Sequence, residues 1–126
     1  MAFHMEKTKT TSTPYMFIEE DKCYMKIEGR SFHENIAEFF AEIDAWLDGF
    51  LRTNFGLFTF DCAMDYFNSS TVKALLNIIM KMDKHSVNEN KIIVNWIVSE
   101  GNDIVIEIGE DFMKDIKNLT FNLDIR

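Results

Sequence analysis

The chain has 126 residues, 47% of them hydrophobic, and a formal net charge of -8. That length suits a single domain with one core, and no apolar run approaches the roughly 18 residues that a membrane span needs. The acidic balance repels nucleic acid phosphates and anionic lipid headgroups, so neither nucleic acid nor a membrane is expected as a partner.

Residues 1–13 are a polar opening segment without the apolar stretch of a signal peptide. We therefore expect a flexible N-terminal tail, whose "MAFHM" start has the character of an added leader, followed by one domain at residues 14–126. Nothing in this segment directs export. The protein is accordingly predicted to be cytoplasmic.

Two strands joined by a tight turn are predicted after the only proline, Pro14. The first strand is Tyr15–Glu19, and the turn occupies residues 20–22. The second strand, "CYMKIEG", alternates apolar and polar residues with the period of a half-buried strand, and it ends at Gly29. The two strands are expected to pair as an N-terminal hairpin.

A first helix is predicted to begin at "SFHE", because Ser31 and Glu34 fit the S-x-x-E capping box. The opposite face of this helix is acidic, which an anionic membrane would reject, so its apolar stripe is interpreted as core packing. The apolar residues that recur at helical spacing are Ile36, Phe39, Phe40, Ile43, Trp46, Leu47, Phe50 and Leu51.

The centre of the chain has the order strand, helix, strand. The apolar run Leu57–Met64 predicts a strand, and a helix capped by Asn68 or Ser69 follows it. Lys91–Val98 is nearly continuously apolar, which is typical of a strand covered on both faces. Together these elements are predicted to form a right-handed βαβ unit.

Residues 102–113 fit two structures, since their isoleucines alternate as in a strand and also step by four as in a helix. We predict a helix, because the chain must cross back to a last strand at Thr120–Leu123. The fold class is therefore α/β, in a single domain. It has a mixed, mostly parallel sheet of about five strands, an N-terminal hairpin and three helices.

The cysteines and histidines do not indicate a disulfide, a metal site or a cofactor. Cys23 and Cys62 lie in separate strand-like runs without a C-x-x-C spacing. They are interpreted as small buried hydrophobes in a reducing cytoplasm. The histidines do not cluster at ligand spacing; they are His4, His33 and His85.

Two carboxylates, Asp61 and Asp65, close the third predicted strand, where a pair of acids could act in acid-base chemistry or hold magnesium. No D-x-D pattern, glycine-rich phosphate loop or neighbouring base accompanies them. A solvated strand end is therefore the preferred interpretation. A small enzyme that uses Asp61, Asp65 or Cys62 is kept as an alternative from another functional class.

Three consecutive hydroxyl residues, Ser69, Ser70 and Thr71, stand where the second helix begins. The ordinary interpretation is that Ser69 caps the helix and its neighbours are tolerated in the first turn, and taken alone the residues favour it. The functional interpretation is phosphorylation, because free amides and the helix dipole stabilise a phosphate there. Such a phosphate, next to Asp61 and Asp65, would repel an acidic partner surface.

Four stretches carry a resemblance to a known family: "TSTP", "IEGRSFHENIAEFFAEIDAWL", "DYFNSSTVKALLNII" and "IIVNWIVSEGNDIVIEIGEDF". From about Thr11 to the C-terminus the chain resembles the SiaC-type regulatory phosphoproteins of bacteria, whose fold is similar to that of the STAS anti-sigma factor antagonists. The resemblance implies a non-catalytic partner-switching adaptor, which a Ser/Thr protein kinase phosphorylates and a PP2C-type phosphatase restores. It also implies that the unphosphorylated form binds and activates a diguanylate cyclase in cyclic-di-GMP and biofilm signalling.

Matched residue by residue, the resemblance implies that Ser69 is the phosphoacceptor, because it follows the tyrosine-apolar-asparagine triplet. The best-known members carry threonine there, which leaves Ser70 and Thr71 as rivals. His33 is a second departure, at a position where proline is commoner. The residues predicted to meet the partner are Asp65, Tyr66, Phe67, Asn68 and Lys73, with the two aromatic residues as partner anchors or core edges.

An anti-sigma factor antagonist that acts on an anti-sigma kinase is the alternative within the same class of adaptor. It would bind a different partner but would use the same phosphorylation switch. Neighbouring genes separate the two, since a cyclase gene favours the first interpretation and a sigma factor gene the second.

Overall fold

The computed structural model describes residues 2–126, which form six strands and three α-helices. In chain order they are β1 (His4–Lys7), β2 (Tyr15–Glu19), β3 (Tyr24–Ser31), α1 (Ile36–Phe50), β4 (Leu57–Phe67), α2 (Ser69–His85), β5 (Lys91–Val98), α3 (Asp103–Asp115) and β6 (Thr120–Ile125). A short 3-10 turn, Glu20–Lys22, joins β2 to β3. The α/β class, the N-terminal hairpin and the three helices are confirmed. None of the helices within residues 2–126 has the length and apolar character of a membrane span.

The strands follow one another across one mixed sheet in the order β1-β2-β3-β4-β5-β6. The first three strands pair antiparallel, and β3 to β6 pair parallel. A helix connects each parallel pair. Because such crossovers are right-handed as a rule and here join successive neighbours, the three helices share one face of the sheet, where α1 contacts α2 and α2 contacts α3. Each helix therefore begins at the edge where the parallel strands end, which we call the C-terminal edge.

One face of the sheet is packed under the helices and the other is open. Along β5 the residues alternate between fully buried and half-buried. The prediction that this strand is covered on both faces is therefore wrong, because Ile93 and Ile97 lie half-buried on the open face. The largest fully buried side chains form the core between sheet and helices; they include Trp96, Phe58, Phe60, Met16, Ile43, Leu47 and Leu75.

The N-terminal segment contributes a strand to the sheet. Strand β1 pairs with β2 from His4 opposite Glu19 to Lys7 opposite Met16. Its Met5 is buried in the core. Placing residues 1–13 outside the domain was therefore wrong for β1, and the sheet has six strands instead of about five. Met5 is the only apolar residue in the four-residue strand, so no alternation identifies the strand in the sequence.

Strand β3 continues past its predicted end at Gly29, where a φ of 112° and a register shift mark a bulge. It ends at Ser31, and α1 begins at Ile36 after the N-cap residue Asn35. The capping-box prediction for Ser31 is wrong. The S-x-x-E pattern cannot distinguish a cap from a strand residue whose hydroxyl finds a partner in a distant element.

The two later helices are held by specific contacts. Helix α3 is confirmed where the sequence allowed strand or helix, and its Gly109 lies so close to the Trp96 indole that an added Cβ would be 2.6 Å from the ring. The indole Nε1 donates to the Val105 carbonyl at 2.9 Å. At the end of α2, the buried Asp83 carboxylate accepts backbone N–H bonds from the turn before β6, at residues 117–119.

Candidate functional site

The start of α2 lies at the C-terminal edge, one residue beyond the end of β4. Strand β4 runs to Phe67, beyond its predicted end at Met64, so only Asn68 separates it from α2. Asn68 is the N-cap, since its Oδ1 accepts from the Thr71 amide at 3.0 Å and from the Thr71 hydroxyl at 2.9 Å. The cap therefore falls on Asn68, and the Ser69 side chain is left without a capping role.

The three consecutive hydroxyls have different surroundings. Ser69 and Ser70 are exposed, whereas Thr71 is fully buried. The Thr71 hydroxyl lies 2.7 Å from the Ser31 hydroxyl of β3, across a gap of 40 residues in sequence. A kinase could reach Ser69 and Ser70 without unfolding, but Thr71 is closed inside the molecule.

The helix start can accept a negative charge. No acidic residue occupies the first turn of α2, and neither the Ser69 nor the Ser70 amide donates to an acceptor within residues 2–126. Free amides and the helix dipole both stabilise an anion at such a position. Lys73 is exposed and lies four residues after Ser69, so the two share one face of the helix.

The residues predicted to meet a partner divide between surface and core. Tyr66 is 43% exposed, and Asp65 is exposed while its carbonyl accepts from the Asn102 side chain at 2.9 Å. Phe67 instead points into the core, where its ring meets the Trp96 ring edge-on at 5.8 Å. The interpretation of Phe67 as a partner anchor is wrong in this structure, and the core-edge interpretation holds.

Two residues that the sequence did not single out join Tyr66 at this edge. Arg30 lies opposite Tyr66 in the parallel register of β3 and β4, and its guanidinium carbon is 5.3 Å from the Tyr66 ring centre. Phe32 follows directly after β3, with its ring centre 6.1 Å from that of Tyr66. Only strand pairing brings these residues together, so no local spacing could have revealed them.

Of the two carboxylate candidates for catalysis, Asp61 is held by hydrogen bonds within the fold, whereas Asp65 is exposed. Asp61 lies on the open face, where one carboxylate oxygen accepts from the Tyr24 hydroxyl at 2.7 Å and the other from the Asn95 amide at 2.8 Å. Burial and the hydrogen bond to Asp61 both raise the pKa of the Tyr24 hydroxyl. Cys62 points into the core on the opposite face, and burial raises the pKa of its thiol. The alternation of strand β4 thus separates Asp61 from Cys62.

The other titratable candidates are scattered. Cys23 lies just outside β3 in a left-handed conformation, and burial raises the pKa of its half-buried thiol. His4 contacts Glu19 at 2.6 Å, and His85 contacts the Lys81 carbonyl at 3.0 Å. Within residues 2–126, no group of three or more His, Cys, Asp or Glu side chains has the arrangement of a metal site.

The structure is that of a small α/β domain whose exposed hydroxyls at the start of α2 are accessible to a modifying enzyme. The family model described as SiaC family regulatory phosphoprotein matches residues 5–125. The chain therefore belongs to the SiaC family of regulatory phosphoproteins.

Comparison with individual proteins shows the same fold. The structure of SiaC of Pseudomonas aeruginosa has a TM-score of 0.87 at 22% identity, covering 98% of this chain and 99% of that chain. SiaC in complex with the diguanylate cyclase SiaD, which it activates, gives a TM-score of 0.87 at 23% identity, with 97% and 99% covered. The uncharacterized protein PA14_02130 of Pseudomonas aeruginosa (strain UCBPP-PA14) is 26% identical over 106 residues, which is 84% of each chain.

Proposed function

We propose that this chain is a non-catalytic partner-switching adaptor, whose unphosphorylated form binds and activates a diguanylate cyclase. A phosphate on Ser69, added by a Ser/Thr protein kinase and removed by a PP2C-type phosphatase, releases that cyclase. The observation that carries the proposal is the exposed Ser69 hydroxyl at the start of α2, in a chain of the SiaC family. The solved complex of the relative SiaC with its cyclase SiaD supports the choice of partner.

Ser69 is the preferred acceptor for two reasons. It is the residue that the family resemblance matches to the phosphoacceptor, and its hydroxyl is exposed because Asn68 supplies the cap. Ser70 is also exposed and stays a rival, whereas the buried Thr71 hydroxyl is already bonded to Ser31. Lys73, one turn along, supplies a positive charge on the Ser69 face.

A regulatory role without catalysis agrees with the surroundings of the candidate catalytic groups. Both oxygens of Asp61 accept hydrogen bonds, and Cys62 is buried on the opposite face of its strand. We propose that the protein acts in the cytoplasm, where a diguanylate cyclase finds its substrate GTP. An anti-sigma factor antagonist would use the same switch with another partner, and no feature of the described residues favours it.

The test begins with phosphorylation. Incubation with the cognate kinase and ATP is expected to add one phosphate, which intact-mass and peptide mass spectrometry place on Ser69. Ser69→Ala should abolish labelling. Ser70→Ala, which changes the neighbouring exposed serine, should retain it. Labelling that survives Ser69→Ala, or that is lost only with Ser70→Ala, contradicts the assignment.

The second half of the test measures the output. Each purified diguanylate cyclase of the source organism is titrated with the unmodified chain, and cyclic-di-GMP production is followed. Ser69→Asp is expected to weaken binding and activation, since it places a negative charge at the start of α2, whereas Ser69→Ala should keep both. Equal affinity of the two variants would mean that charge at this position does not control docking.

A further inference from the structure

A cluster beside the proposed phosphoacceptor points to the chemistry of the partner. We propose that Arg30, Phe32 and Tyr66, here called the Arg30 patch, anchor the cyclase by receiving an acidic segment of it. In that segment a carboxylate would stand next to an apolar side chain. The inference rests on the proposed function, because it takes the cyclase as the occupant.

The geometry of the Arg30 patch is set by strand pairing. The Arg30 guanidinium carbon lies 5.3 Å from the Tyr66 ring centre and 5.8 Å from the Phe32 ring centre, and the two rings meet edge-on. A cation over two aromatic faces is held by their quadrupoles. With the ring centres 6.1 Å apart, the three groups form a nearly equilateral triangle, so the patch presents one guanidinium beside two rings.

The patch is exposed, although its composition is typical of buried interfaces. Tyr66 is 43% and Phe32 is 38% exposed, and Arg30 is exposed as well. Tyrosine and arginine are enriched among the residues that carry most of the binding energy in protein interfaces. Covering these rings by a partner would remove apolar surface from water while the rings keep the arginine in place.

The charge of the patch selects an acidic occupant. Among the ion pairs within residues 2–126 none includes Arg30, even though the chain has 21 acidic residues. The guanidinium N–H groups can therefore bind a partner's carboxylate in a bidentate manner. A second copy of this chain is a poor occupant, because two molecules of net charge -8 repel each other.

The patch is also physically tied to the switch. Tyr66 precedes Ser69 by three residues, and Ser31, between Arg30 and Phe32, bonds to Thr71 in the first turn of α2. A phosphate on Ser69 would bring a charge of roughly -1.5 to -2 to this edge. It would repel the carboxylate of the partner and compete for the guanidinium, which gives phosphorylation a direct way to release the cyclase.

The experiment uses the full chain and the cyclase that it binds in the unmodified state, with affinities measured by calorimetry at two salt concentrations. Arg30→Ala and Tyr66→Ala are each expected to weaken binding about tenfold or more, and Arg30→Lys to weaken it less. The matched control is Arg52→Ala, an exposed arginine just after α1, which should stay within about twofold of wild type. Arg30→Ala should also show a weaker dependence on salt.

The outcomes separate the two proposals. If the unmodified chain binds a cyclase and Arg30→Ala binds as well as Arg52→Ala, the patch is not the anchor, while the proposed function stands. If the unmodified chain binds no cyclase, the proposed function fails and this inference fails with it. If Arg30→Ala instead dissociates a dimer of the chain in light scattering, the occupant is a second copy and the inference is overturned. Thermal melts confirm that each variant is folded.

Discussion

At the scale of single residues, Ser31 of β3 makes Thr71 different from the two hydroxyl residues before it. Ser31 holds Thr71 inside the molecule through a 2.7 Å contact between their hydroxyl oxygens. Asn68 caps the helix, so Ser69 and Ser70 remain free at the surface. The site therefore has two pairs of hydroxyls. The buried pair, Ser31 and Thr71, holds the start of α2 in place, and the exposed pair is accessible to an enzyme.

Thr71→Val tests this arrangement. The valine fills the same volume but removes the hydroxyl, and it leaves the buried Ser31 hydroxyl without its partner. Stability should fall by about 1–3 kcal/mol, which is the cost of an unsatisfied buried polar group. Urea denaturation measures the free energy of unfolding.

Thr71→Ser is the matched control, because it keeps the hydroxyl and should cost less than Thr71→Val. In Ser31→Ala/Thr71→Val, no hydroxyl is left unpaired, so the loss should be smaller than the sum of the single losses. Additive losses, or a Thr71→Val variant as stable as wild type, would mean that the buried hydroxyl pair does not hold α2.

At the scale of elements, α3 can lie close to the sheet because Gly109 has no side chain. Gly109 faces the Trp96 indole, which in turn donates to the Val105 carbonyl one turn earlier in the helix. The helix thus packs directly on the largest side chain of the core. A strand at this position would have satisfied the alternation of the isoleucines but could not have crossed from β5 to the parallel β6.

Gly109→Ala is expected to destabilise the protein by about 1–3 kcal/mol, because the new methyl group overlaps the Trp96 ring and forces the helix outward. Gly49→Ala is the control on α1, where a Cβ meets nothing within 4 Å. That change should stabilise the protein by about 0.5–1 kcal/mol through helix propensity. Thermal unfolding compares the Tm of each variant with that of wild type. If both Tm values shift in the same direction, the packing described for α3 is contradicted.

At the scale of the whole molecule, the N-terminal strand completes one side of the sheet. Strand β1 covers the edge of β2, Met5 enters the core, and Phe3 stacks on Trp46 with ring centres 5.3 Å apart. The opposite edge is β6. The folded unit in residues 2–126 therefore includes chain that composition alone would assign to a tail.

Removal of residues 1–13 is expected to lower stability by about 2 kcal/mol or more, since the burial of Met5 is lost and the β2 edge becomes free to pair. Differential scanning calorimetry and light scattering would show a lower Tm and a greater tendency to aggregate. A shortened chain with an unchanged Tm would show that β1 adds nothing to the fold.

The sequence by itself determined the strands and helices that can be identified from a pattern of neighbouring residues. The proline before it placed β2, alternation identified the start of β3, helical spacing identified α1 and α2, and the apolar run identified β5. The hydroxyl cluster at residues 69–71 and the family resemblance were also visible without coordinates. These features can be recognised in the sequence because the period of two residues in a strand, or of 3.6 residues in a helix, repeats within a short segment.

Only the tertiary structure decided which of those residues can act. It buried Thr71 and Phe67, moved Ser31 from a presumed cap into a strand, and placed Arg30 against Tyr66. Each of these outcomes depends on a partner that lies tens of residues away in sequence. Burial and pairing across parallel strands are properties of the assembled sheet, and no local pattern encodes which strand lies beside which.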